Sequence, residues 1–288
     1  MFKESAFIND RGITIATYEA LPRQEAKAGI LLVHGYAEHT GRYRHVIREL
    51  NDTGLAVYAL DHQGHGKSGG VRCYIKEFDY YVDDLSFYFE KLRNETGLKK
   101  WFILGHSMGG AIALKMVLRH QNDLNGMLLT GPMLEISTKV PKVVQEMAKY
   151  VAAMASTVPV VKLETEAISR DPDVVRNYLN DPLVYTGRVR AKMAVHFSKI
   201  NTEMPGLFSK IELPLWVGHG TLDRITSPEG SKMLYRLAQS QDKTLKLFDG
   251  LFHEIMNEPE KDMVLGEISF WIKRHLEAGG KHITSQQA

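Results

Sequence analysis

Trp101-Phe102-Ile103-Leu104-Gly105-His106-Ser107-Met108-Gly109-Gly110-Ala111-Ile112-Ala113-Leu114 joins an apolar run to a second apolar stretch through a glycine-flanked serine. Taken alone, Gly105-His106-Ser107-Met108-Gly109 is G-x-S-x-G, a pattern short enough to arise by chance. Its context carries more. Residues 101–104 suit a buried strand and 108–118 show helical spacing, so the serine falls on a tight strand-to-helix turn. Glycines on both sides permit close packing around that turn, which lifts the Ser107 hydroxyl above the sheet edge beside the positive end of the helix. The alternative is a serine that only caps the helix.

Outward from this turn the same rhythm repeats. Short apolar runs at 30–33, 55–60, 127–129, 215–217 and 245–248 suit strands buried on both faces. Helical patterns lie between or after them at 43–50, 81–92, 229–237 and 263–276. Two alternating segments, 4–9 and 13–19, flank Asp10-Arg11-Gly12 and predict an opening hairpin. The class is therefore α/β with a mostly parallel sheet flanked by helices. Residues 135–205 break the rhythm, with no good strand and five prolines. There Val140, Val143, Val144, Met147, Val151 and Met154 form one apolar stripe at helical spacing. An amphipathic helix packed on the core explains that stripe as readily as a cover over a site.

Composition narrows the function. The 288 residues carry 36 Lys and Arg against 34 Asp and Glu, which removes the electrostatic argument for a nucleic-acid binder. Cys73, the single cysteine, excludes an internal disulfide framework and a cysteine-based zinc site. Nothing resembles a secretory signal or a membrane span, so the chain reads as soluble and cytoplasmic.

A serine hydroxyl is a weak nucleophile and needs a base oriented by a third group. In strand-turn-helix serine enzymes the acid and then the histidine follow the serine in the chain. Asp223 follows the run 215–217 and His253 follows the run 245–248, so all three emerge at strand carboxyl ends. Glu135, just after 127–129, is the rival acid. Three other motifs fail. Gly64-His65-Gly66-Lys67-Ser68-Gly69 spells G-x-G-x-x-G, but no helix pattern opens until near Asp79. Gly66-Lys67-Ser68 lacks the first P-loop glycine, since Asp61 stands there, and His253-Glu254 lacks a second histidine at Asn257.

His34-Gly35-Tyr36-Ala37-Glu38-His39-Thr40-Gly41-Arg42-Tyr43, Asp61 to Ser68, Gly105 to Gly110, Gly220-Thr221-Leu222-Asp223 and His253-Glu254 together resemble the α/β-hydrolase superfamily. They are most similar to its monoacylglycerol lipase and lysophospholipase branch. The resemblance implies Ser107 as nucleophile, Asp223 as acid and His253 as base, with an oxyanion hole from the N–H groups of Tyr36 and Met108. It implies Glu38 and Arg42 near the glycerol headgroup, where a surface ion pair is the plainer reading. It also makes 64–68 a structural turn, and 135–206 a helical cap between core segments 1–134 and 207–288. Met133, Met147, Val151 and Met154 would then line an acyl channel. Two departures stand out: Tyr36 replaces a small residue, and Met256 stands where the mammalian lipase has a second histidine.

The expected activity is hydrolysis of lipid carboxylic esters, foremost monoacylglycerol to fatty acid and glycerol, with no metal or organic cofactor and no obligate protein partner. A lysophospholipase is the nearest rival, with Arg42 or cap lysines on the phosphate, followed by a general carboxylesterase. A non-catalytic ligand-binding relative is the remote one. Transient contact with a membrane or micelle would run through the cap.

Overall fold

Six consecutive buried residues, Ala28–Val33, form the strand around which the sheet is built. Leu31 and Val33 point to one hydrophobic cluster and Ile30 and Leu32 to another on the opposite face. Strict alternation between two apolar faces is why this strand reads as one continuous apolar run. Each such side chain, fully buried, contributes about 1.5–3 kcal/mol.

The computed structural model describes residues 2–135 and 154–277. The elements are β1 (Phe2–Ile8), β2 (Thr14–Ala20), β3 (Ala28–Val33), α1 (Arg44–Asp52), β4 (Leu55–Leu60), α2 (Asp79–Thr96), β5 (Trp101–His106), α3 (Met108–His120) and β6 (Gly126–Thr130). Then follow β7 (Pro159–Val161), α4 (Pro172–Asn180), β8 (Val189–Arg190), α5 (Ala191–Glu203), β9 (Leu215–Gly220), α6 (Pro228–Leu237), β10 (Lys243–Phe248) and α7 (Lys261–Glu277). Among the described residues the main sheet has eight strands in the order β1-β2-β4-β3-β5-β6-β9-β10. The β1–β2 hairpin joins antiparallel to β4, and every other pairing in this sheet is parallel. Helices α2 and α3 pack on one face, α1 and α7 on the other. This is the α/β-hydrolase arrangement.

Two expectations are corrected. The run 245–248 does not lie in a strand buried on both faces: β10 is an edge strand in which only Phe248 is buried. Among the described residues its sole strand neighbour is β9. The interval 135–205 does contain strand, since β7 and β8 pair antiparallel. Pieces of three and two residues are too short to leave a periodic signal. Most of the 140–154 stripe, including Met147 and Val151, lies outside the described residues. Among those described, no helix is long and apolar enough to cross a membrane, and no cluster of metal-ligating side chains occurs.

Candidate active site

Strands β5, β6, β9 and β10 are neighbours, so the loops after them open along one sheet edge. Ser107 stands between β5 and α3 with φ 54° and ψ −122°, a conformation that a non-glycine residue adopts at a cost of about 1–3 kcal/mol. Its surroundings enforce that conformation. The Ser107 N–H donates to the Thr130 carbonyl (3.1 Å), and its own carbonyl accepts from Gly110 and Met133 (2.9 Å each). A Cβ on Gly109 would come within 2.1 Å of the Val33 carbonyl oxygen, and one on Gly105 within 2.6 Å of the Gly109 carbonyl oxygen. Both glycines of the motif are therefore steric requirements of the turn. The Ser107 side chain makes no helix-capping bond, which removes the plainer reading of the motif.

The hydroxyl instead pairs with His253: Oγ to Nε2 is 2.9 Å. On the other side of the ring, Nδ1 lies 2.7 Å from Asp223 Oδ2. A carboxylate accepts, so Nδ1 carries the hydrogen and Nε2 is free to take the serine proton. All three residues are buried. Burial alone would raise the Asp223 pKa, but attraction to His253 and hydrogen bonds from His219 and His253 hold the carboxyl far below its usual range. Burial disfavours the His253 imidazolium, yet Asp223 outweighs it and, with smaller contributions from Glu254 and Glu38, raises the ring's pKa above the ordinary 6.5. Behind His253, at 4.9 Å between ring centroids, His106 donates from Nδ1 to the Thr130 carbonyl (2.9 Å). Burial first, then His253, push His106 down to about 4, so a second positive ring does not compete there. Glu135 takes no part in this set; its carbonyl accepts from the Ser227 N–H (2.7 Å), and Asp223 occupies the place beside His253.

The loop after β3 closes the other side. A Cβ on Gly35 would lie 3.1 Å from that of Ser107, so Tyr36 follows directly on a residue packed against the serine. Met108 is the first residue of α3, and its N–H has no acceptor within the helix. The Tyr36 ring turns aside: its hydroxyl donates to the Cys73 carbonyl (3.1 Å) and its edge meets Phe197 at 5.1 Å.

Glu38 and Arg42 are not a surface ion pair. The Arg42 side chain is only 10% exposed, with Nη1 2.6 Å from Glu38 Oε2, and it holds Glu254 through both terminal nitrogens (2.6 and 2.7 Å). Glu38 also accepts from the Gly35 N–H (2.7 Å) and the Tyr43 hydroxyl (2.5 Å). Burial opposes its charge, but Arg42 outweighs that and brings the Glu38 carboxyl down to about 2. The network ties the loop bearing Tyr36 to the residue following His253. Glu254 is a partner that sequence reasoning missed, because no local pattern links positions 212 apart. Thr226, whose hydroxyl lies 2.8 Å from Asp223 Oδ2, was missed for another reason: it stands only three positions from Asp223, and its residue type alone does not say that the side chain turns to that carboxylate.

Of the remaining candidates, Met133 is buried beside Ser107 through its backbone bond, whereas Met154 is 91% exposed. Met256 is a core residue whose carbonyl accepts from His45 (2.7 Å). The 64–68 loop wraps the Asp61 carboxylate, which accepts from the N–H groups of Thr40 (2.9 Å) and Lys67 (2.8 Å), and α2 begins only at Asp79.

A buried serine, histidine and aspartate hydrogen-bonded in series at the carboxyl edge of a parallel sheet define an α/β-hydrolase of the serine class. Residues 24–260 match the family described as Hydrolase_4, serine aminopeptidase S33, and the chain belongs to that family. The chain is 37% identical to monoacylglycerol lipase of Mycolicibacterium smegmatis, over 95% of this chain and 98% of that one. It is 29% identical to human monoglyceride lipase, over 90% of this chain and 86% of that one. Among solved structures, Paleococcus ferrophilus monoacylglycerol lipase superposes with a TM-score of 0.79 at 31% identity, covering 90% of this chain and 99% of that one.

Proposed function

We propose that the protein is a serine esterase that hydrolyses monoacylglycerol to fatty acid and glycerol, with Ser107 as nucleophile, His253 as general base and Asp223 as its orienting acid. The observation that carries this is the series Ser107 Oγ, His253 Nε2 and Nδ1, Asp223 Oδ2, at 2.9 and 2.7 Å. Ser107 Oγ attacks the ester carbonyl carbon as its proton passes to His253 Nε2. Charge developing on the carbonyl oxygen is received by the N–H groups of Tyr36 and Met108, aided by the positive end of α3. Collapse of the tetrahedral species expels glycerol, which takes the proton from His253. Water then repeats the sequence on the acyl-serine and releases the fatty acid.

The lipase relatives and the occupied state of Arg42 favour a neutral headgroup. Two carboxylates already engage Arg42, which leaves it poorly suited to a lysophospholipid phosphate. The same bonds leave Glu38 and Glu254 poorly suited to hold the ammonium of an aminopeptidase substrate. Glu38 and Arg42 then act at the glycerol end mainly by shaping the Tyr36 loop.

The segment 135–206 acts as a cap in this reading. Support comes from its contacts with both site loops. The Tyr178 ring lies 4.7 Å from the Arg42 guanidinium, the Tyr185 N–H donates to the Ala37 carbonyl (2.9 Å), and the Glu254 N–H donates to the Ile168 carbonyl (2.7 Å). Met133, Met147 and Val151 are proposed to line the acyl path, with exposed Met154, Val158 and Val161 meeting a lipid surface from the cytoplasmic side. A panel of 1- and 2-monoacylglycerols, lysophosphatidylcholine and short esters tests the reading. Each added methylene contributes up to about 0.8 kcal/mol if buried, so kcat/KM is expected to rise with chain length. A steady fall beyond butyrate would make this a small-ester carboxylesterase, and preference for lysophosphatidylcholine at matched chain length would make it a lysophospholipase.

A further inference from the structure

The aspartate that orients His253 is held by a second imidazole. His219, in β9, is fully buried, with Nε2 3.1 Å from Asp223 Oδ2 and 3.2 Å from the Thr226 carbonyl oxygen. Both neighbours are acceptors, so Nε2 carries the hydrogen. Nδ1 is then bare and takes the hydroxyl proton of Ser231, 2.7 Å away in α6. Three groups thus fix one tautomer of a ring that no substrate can reach.

Asp223 Oδ2 faces His253 Nδ1–H at 2.7 Å, the Thr226 hydroxyl at 2.8 Å and His219 Nε2–H at 3.1 Å. Oδ1 accepts from the N–H groups of Ile225 (2.8 Å) and Thr226 (3.0 Å). One carboxylate oxygen offers about two lone-pair directions; the single Thr226 hydroxyl hydrogen also has the Gly131 carbonyl within reach (3.0 Å), so the two rings of His253 and His219 are the donors that share Oδ2. Every donor on that oxygen makes Asp223 a weaker partner for the proton on His253.

We propose that His219 is a positioning residue of the reaction: by donating from Nε2 to Asp223 Oδ2, it fixes the carboxylate and limits how strongly Asp223 draws on His253. This rests on the reading of Ser107, His253 and Asp223 given above. The other groups facing His253 are Glu254 and Glu38, which favour its charge, His106, which opposes it, and the Thr226 hydroxyl; Arg42 lies behind the two glutamates. None of them changes with residue 219.

The test compares wild type with His219→Met, an adaptable apolar filler, and His219→Gln, whose side-chain N–H can reach the same oxygen. The readout is the pH dependence of kcat/KM on a soluble p-nitrophenyl ester, with Ser107 labelling by a fluorophosphonate in parallel. His219→Met is expected to move the acid limb upward by about half a pH unit and lower kcat about tenfold with KM unchanged. His219→Gln returns the limb to its wild-type position. An acid limb unmoved in His219→Met, or moved equally in both variants, overturns the proposal. Nitrogen-15 NMR of the wild-type His219 ring needs no variant: hydrogen on Nε2 is expected, and hydrogen on Nδ1 overturns the assignment even if His219→Met does not fold. Wild-type protein that neither cleaves the ester nor takes the label overturns the functional reading itself, an outcome distinct from failure at His219 alone.

Discussion

Asp61 and Asp223 are two answers to one local problem, a buried carboxylate just past the end of a parallel strand, and they differ in what the histidine beside them does. Asp61 follows β4 and accepts from Thr40, Lys67 and the Tyr18 hydroxyl (2.6 Å), all of which hold loops in place. Its neighbouring His34 donates to the Gly35 carbonyl (2.7 Å) and accepts from the His62 N–H (3.0 Å), so both ring nitrogens serve the backbone. Asp223 bonds His253 directly, and the other nitrogen of that ring faces a serine. The electrostatic outcome follows. Burial wins at His34 and lowers its pKa, whereas at His253 the bonded carboxylate wins and raises it. Burying an acid near a histidine is not enough to make a base; a direct bond and an unused nitrogen are needed.

That contrast can be broken by substitution. Ser107→Ala is expected to lower kcat by about 10⁶-fold, since nucleophile and base act as a unit. An esterase rate within tenfold of wild type would remove Ser107 from the mechanism. Asp223→Asn should lower kcat about 10⁴-fold with the fold intact, because the amide stabilises the wrong imidazole tautomer. Asp61→Asn should do the reverse, holding kcat within a few-fold while destabilising the protein by about 3 kcal/mol in denaturant titration. A folded Asp61→Asn protein as inactive as Asp223→Asn would erase the distinction.

Smaller effects sharpen it. Wild-type kcat/KM should rise with pH through a value above the ordinary histidine pKa of about 6.5, because the proposed mechanism needs neutral His253 and its pKa is raised. Glu254→Gln removes an anion that favours the imidazolium, so the acid limb should move to lower pH, opposite to His219→Met. Stability follows the carboxylates. Asp61 and Asp223 both have depressed folded pKa values, so their contribution is complete above the unfolded value of about 3.9 and is lost as pH falls through the folded ones. Acid unfolding that does not shift in Asp61→Asn would contradict this.

Much of this was legible beforehand. Strands β3 to β6 and β9 betray themselves because burial on both faces leaves unbroken apolar runs, and the β5–α3 turn because glycine alone fits beside the Val33 and Gly109 carbonyls. Glu254, Thr226 and His219 had no such signature. Their roles depend on where each side chain turns in space: Arg42 reaches across 212 positions to Glu254, whereas Thr226 and His219 stand only three and four positions from Asp223 with nothing in their residue types to show that they face its carboxylate. The edge position of β10 was hidden too, since its apolar residues spell the same run as a covered strand.

By itself, then, the sequence determined the alternation of strand and helix, the strained serine turn and the order serine, acid, histidine. Those depend on local sterics and on periodicity along the chain. Tertiary structure alone decided that Asp223 rather than Glu135 meets His253, that Arg42 is held between two glutamates, and that His219 stands behind the aspartate. The physical reason is that hydrogen bonds and charge pairs act over a few ångströms in space and leave no mark on spacing along the chain.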